Sequence, residues 1–164
     1  MNVGMLSAAG LVLVLALGVM LVHDDLEVDA AYHAELSIIG GKADHTHASY
    51  RLAEYIQSHQ LQDVVAMDFG IQDVVQFLTA GEVNPPEIFG YLDRQVPDPA
   101  FAIRVREQFE RPEAVYVFRE TPVFAQRWET FRAIAAEDGK TVVEETIIYD
   151  WSAIPIFRLV RVTG

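Results

Sequence analysis

Asp68, Phe69 and Gly70 follow the apolar run Val64-Val-Ala-Met67 and precede the helix-forming stretch Ile71 to Ala80. A carboxylate and a glycine at a strand-to-helix junction stand where open α/β sheets take their ligands, beside the N–H groups of the starting helix. Arg119 and Glu120 leave the same end of a second apolar run, Ala114 to Phe118, and Arg127 falls one or two turns inside the helix expected after it. Asp68, Gly70, Arg119 and Arg127 are therefore the candidate ligand-binding residues, a polar cluster suited to a sugar or a phosphate. The same side chains have plainer roles open to them, Asp68 as a helix N-cap and the arginines in surface ion pairs. With one glycine and no G-x-G-x-x-G, nucleotide binding has little support.

Other residues carry less chemistry. Asp44, His45 and His47 resemble metal ligands, but histidines two apart on a starting helix point in different directions, and Asp or Thr at that place serves as a cap. No metal site, cofactor or catalytic residue is expected. The chain has no cysteine, which excludes disulfides, a thiolate nucleophile and Cys-based metal centres. No serine lies in a G-x-S-x-G context. The formal charge of -12 falls on the part of the chain after residue 22 and repels phosphate backbones and anionic lipid, so no nucleic-acid partner is expected.

The elements that must hold the cluster can be read from periodicity. A helix is expected from Asp44 or Thr46 to about His59, with Ala48, Leu52, Tyr55 and Ile56 on one face. Asp63 to Asp68 reads as a strand feeding a helix that stops at Gly81, the opening of a βαβ unit. Val83 to Pro99 holds four prolines and reads as loop, with a short extended or helical piece at Glu87 to Leu92. Pro99 suits the first turn of a helix lasting to about Glu110. Ala114 to Phe118 is a buried central strand, Pro122 to about Asp138 a helix, and Thr141 to Tyr149 with Pro155 to Val162 a hairpin, although the second strand alternates imperfectly. The fold class expected is α/β: one N-terminal transmembrane helix, then a layered domain with a mainly parallel sheet, a C-terminal antiparallel hairpin and helices on both faces.

Val3 to Val22 is a run of 20 residues without a charge, Asn, Gln, His or Pro, ended by His23, Asp24 and Asp25. As a helix it spans about 30 Å, the thickness of a bilayer's hydrocarbon core. A cleaved secretory signal would have a basic start, a shorter apolar core and a small-residue cleavage site, none of which is present. The expected organisation is a transmembrane helix at 1–22, a juxtamembrane connector or short helix at 23–43 and a domain at 44–164. Lys42 is the basic residue nearest the span, and the lack of positive charge after it favours an extracytoplasmic domain at the cell membrane. Gly4 and Ala8 have small-xxx-small spacing, so a partner helix is a possible neighbour beside the lipid bilayer.

Taken in order, Gly40-Gly41-Lys42, Tyr50-Arg-Leu-Ala-Glu-Tyr-Ile56, Val64-Val-Ala-Met-Asp-Phe-Gly70, Gly81-Glu-Val-Asn-Pro-Pro-Glu-Ile-Phe-Gly-Tyr91, Val115-Tyr-Val-Phe118 and Pro155-Ile-Phe-Arg-Leu-Val-Arg-Val162 carry a likeness. The chain resembles the C-terminal region of bacterial family 39 glycosyltransferases, polytopic enzymes related to dolichyl-phosphate-mannose protein mannosyltransferases. The likeness covers nearly the whole chain and puts Val3 to Val22 in the position of the last membrane helix. It implies a sugar or lipid-linked sugar as ligand. In that family the catalytic acids lie in a loop near the first membrane helix, which has no counterpart here, so Asp24 and Asp25 do not inherit the role. The family pattern also carries a histidine where Arg119 stands. The resemblance therefore implies a non-catalytic binding or assembly module. The alternatives are an accessory subunit of a larger membrane complex and an auxiliary subunit of a split glycosyltransferase.

Overall fold

The computed structural model describes residues 3–39, 46–90, 96, 98–123 and 127–164, with the side chains of the first helix described over 10–34. Gly40 to His45, Leu92 and Phe124, and the surroundings of Gly4 and Ala8, lie outside what is described. The chain forms two compact units, 1–42 and 43–164.

The first unit is one helix, α1 (Val3–Ile39), which passes through the acidic boundary at Asp24 without a break. Over 37 residues it rises about 55 Å. His23 lies 3.8 Å from Glu27 and His33 lies 3.4 Å from Asp29, pairs at i,i+4 that support the helix when the imidazoles are protonated. Among the described residues no helix is long and apolar enough to cross a membrane. The described apolar side chains of α1 run from Leu11 to Val22 before Asp24 and Asp25 interrupt them.

The second unit is an α/β sandwich built on four strands: β1 (Val64–Ala66), β2 (Val115–Arg119), β3 (Thr141–Tyr149) and β4 (Pro155–Thr163). Their order is β1-β2-β4-β3, with β1 and β2 parallel and the β2/β4 and β4/β3 pairs antiparallel. The sheet is thus mixed, not mainly parallel. The hairpin lays its second strand against β2, where Phe157, Leu159 and Val160 become fully buried. That apolar gain places β4 inside the sheet and leaves β3 at its edge. Register shifts between Glu144 and Thr146 and between Ile148 and Tyr149 interrupt the pairing of β3 with β4.

Helices cover both faces, as alternation along buried strands requires. Val64, Ala66, Val115, Val117 and Leu159 face α2 (Ala48–Ser58) and α3 (Ile71–Leu78), through Leu52, Ile56, Ile71 and Val75. Val65, Met67, Tyr116, Phe118 and Val160 face α4 (Phe101–Phe109) and α5 (Trp128–Glu137), through Phe101, Val105, Phe131 and Ile134. The free side of β1 is covered by the proline-rich loop: Ala66 N–H donates to Pro86 O at 2.9 Å and Ile88 N–H donates to Ala66 O at 3.2 Å. Consecutive prolines hold the residues before them extended, which lets this short piece run beside the strand.

The helix expected from Pro122 begins only at Trp128. The Val123 backbone N–H is bonded to Asp68, which pins the chain to the sheet edge before it turns into α5. Arg127 is consequently the residue that caps α5 rather than one inside it.

Candidate ligand-binding site

The carboxyl ends of β1 and β2 bring together the residues singled out by sequence. Asp68 follows β1 and is 3% exposed. One oxygen accepts the Phe69 N–H at 2.8 Å, and the Val123 N–H also donates to the carboxylate. These bonds do not cap α3: its N-cap is Gly70, at φ 73°, with no side-chain cap. The left-handed backbone at Gly70 completes the four-residue turn, Met67 to Gly70, that leads from β1 into α3, a conformation glycine adopts without a Cβ clash. The amide of Gly70 donates to Glu87 Oε1 at 3.0 Å, so a loop carboxylate sits on the N-terminus of α3.

Arg119, the last residue of β2, reaches back over this turn. Its Nε donates to Phe69 O at 3.1 Å, and its guanidinium lies over the Phe157 ring at 5.3 Å. A Cβ on Gly70 would meet Arg119 Nη2 at 3.7 Å, which measures how closely the arginine overlies the glycine. Arg127 is buried on the other side. Its Nε donates to Phe89 O at 2.8 Å, Nη2 donates to Gly90 O at 3.1 Å, and the guanidinium stacks on Phe89 at 5.1 Å. Both cations are therefore held by backbone carbonyls and aromatic rings.

Burial pushes the Asp68 carboxyl up to about 6, against the opposing pull of the Phe69 and Val123 amides and of Arg119 and Arg127. Beneath the cluster, Arg104 holds Asp98 through a forked pair, Nη1 to Oδ1 at 3.1 Å and Nη2 to Oδ2 at 2.6 Å. Those bonds keep Asp98 below the ordinary carboxylate range, with Arg127 contributing further positive charge. Gly90, at φ 78°, lies against this pair, where an added Cβ would fall 1.8 Å from Asp98 Oδ2.

Asp68, Gly70, Arg119 and Arg127 thus form one cluster, whereas Glu120 turns away to bond Arg158 at 2.7 Å. Sequence reasoning missed Glu87, Asp98 and Arg104. The available signal was Pro85-Pro86, which holds an extended segment beside a strand and so carries Glu87 to the sheet edge. The His47 ring lies against Trp151, with centroids 4.3 Å apart and 39° between the planes, and no group able to hold a metal occurs among the described residues. Asp44 and His45 lie outside the described residues.

The class defined by these features is a two-core α/β sandwich with a buried acid and two arginines over the ends of its parallel strands. No protein-family model, curated protein or solved structure matches the chain.

Proposed function

We propose that this chain is a single-span membrane protein of the cell membrane. Its extracytoplasmic α/β domain, similar to the C-terminal domain of family 39 glycosyltransferases, acts as a non-catalytic binding module. Its ligand sits over the carboxyl ends of β1 and β2, against Asp68, Gly70, Arg119 and Arg127. The observation that carries this reading is the buried Asp68 between two anchored arginines. A carboxylate with little exposure is costly to keep in a fold that needs no charge there, and such groups cluster at functional sites. Phe69 is 44% exposed and Arg119 half-buried, so the cluster opens to solvent on the Arg119 side.

The anchor rests on the chemistry of α1. Val3 to Val22 is uncharged, and the large apolar side chains from Leu11 to Val22 are each at least 50% exposed, so lipid or a partner helix is the natural cover. The test is to add a panel of neutral sugars and sugar phosphates to the isotope-labelled full chain in nonionic micelles. Binding should shift the Gly70 amide and Arg119 Nε–H signals. A cluster that no member of the panel moves contradicts the binding reading, and sugar transfer by the purified chain alone contradicts the non-catalytic one.

A further inference from the structure

Val12, Leu15, Val19, Val22, Leu26, Asp29 and His33 follow one another along α1 at alternating steps of three and four residues, so they lie in one row on the helix. The five apolar members are 59–70% exposed. A shallow groove follows the row from Val14 to Leu26, and Gly18 in its lining leaves open space where a Cβ would stand.

Lipid needs no such row. Hydrocarbon covers an apolar side chain from any direction, whereas steps of three and four are what a second helix requires to stay in contact over several turns. The row also passes the acidic boundary to Leu26, beyond the uncharged run that hydrocarbon would cover.

Charge selects the row and its occupant. Rows at the same steps through Asp24 or Asp25 hold no histidine, lysine or arginine, so two copies would face bare carboxylates there. The row through Leu26 instead holds Asp29 against His33 at 3.4 Å. Two parallel copies bring two carboxylates and two imidazoles into adjoining turns, a polar layer of the kind that fixes register. Asp24 and Glu27 fall outside that contact, and Asp25 at its margin meets Ala30 of the second copy. Val12 and Val19 at one position of the repeat, with Leu15 at the other, favour two parallel strands.

Resting on α1 as the membrane anchor proposed above, and not on the ligand site, we infer that α1 pairs in parallel and in register with α1 of a second copy of this chain. The pair is left-handed, crosses the bilayer along Val12 to Val22 and continues above it through the Asp29–His33 layer.

The test uses the full chain in nonionic micelles. Sedimentation equilibrium should give the protein mass of two chains. The chain has no cysteine, so single replacements report position. Val22→Cys and Leu26→Cys should close disulfide-linked dimers under copper phenanthroline and dissolved oxygen, whereas Val28→Cys, outside the row, should not. His33→Asp puts four carboxylates in the layer and should raise the dissociation constant at least about tenfold; Asp29→Leu should lower it by a similar factor, and Val28→Asp should leave it unchanged. A monomer in the micelles, with detergent alone covering the row, overturns the pairing and leaves the anchor. Cross-linking at Val28→Cys as fast as at Leu26→Cys, or His33→Asp as tightly paired as the parent, overturns it too. A dimer that stays in water with no detergent bound contradicts the anchor instead.

Discussion

Replacing Asp68 with Asn keeps an acceptor for the Phe69 and Val123 amides and removes the charge. In the folded domain the Asp68 carboxyl is raised to about 6 from an ordinary 3.8 by burial. The unfolded chain gives up this proton first as pH rises, so between about pH 4 and 6 the folded state binds more protons than the unfolded state. Stability from this group is therefore full below pH 4, declines as pH rises to 6 and is flat above. A shift of about two units corresponds to about 3 kcal/mol, an order-of-magnitude figure. The Asn variant lacks this loss, so the difference in unfolding free energy, variant minus parent, should grow by about 2–3 kcal/mol between pH 4 and pH 7. Urea unfolding followed by tryptophan fluorescence reads the second unit alone, because Trp128 and Trp151 both lie within it. Running both chains at each pH cancels the titration of every other group. A difference that stays constant across this range would refute the argument that burial dominates at Asp68.

Three further substitutions follow from the same geometry. Arg127→Met removes the donor to Phe89 O and Gly90 O and leaves Asp68 without its buried counter-charge; urea unfolding at pH 7 should show a loss of about 3–5 kcal/mol, against about 1 kcal/mol or less for half-exposed Arg119→Gln. The Tyr116 hydroxyl is buried without a hydrogen-bond partner, and burial pushes its pKa up to about 12; Tyr116→Phe should therefore be neutral or stabilising by up to about 1 kcal/mol in the same assay. Gly90→Ala combines a left-handed backbone with a collision against the Asp98–Arg104 pair, and its melting curve should reflect a loss of about 3 kcal/mol.

How far the fold could be read from sequence depended on whether the deciding interaction was local. The junction at Asp68, Phe69 and Gly70 was legible because a short apolar run, a turn-permissive glycine and a helical period are neighbours in the chain. The same holds for β2 and for the hairpin turn, where Asp150 Oδ1 accepts the Ser152 and Ile154 amides. The pairing of β4 with β2 was not legible, since a hairpin's sequence does not say which of its strands will dock on the sheet. That one choice made the sheet mixed. The start of α5 was misplaced for a related reason: Val123 bonds a carboxylate 55 positions earlier in the chain, and this distant bond overrides local helical preference. Glu87 is similar, reaching the Gly70 amide from a loop whose prolines announce extension but not its neighbour. In α1, the helix continues through the acidic boundary where the sequence suggests a break, because Asp, Glu and His at i,i+4 spacing support a solvated helix as readily as a turn.

The Asp68 side-chain carboxyl carbon, followed by NMR as pH is varied in the full chain, reports its protonation directly. Because burial raises this carboxyl, the midpoint is expected near 6. A midpoint in the ordinary carboxylate range would contradict the central claim that Asp68 is a buried acid held at the sheet edge.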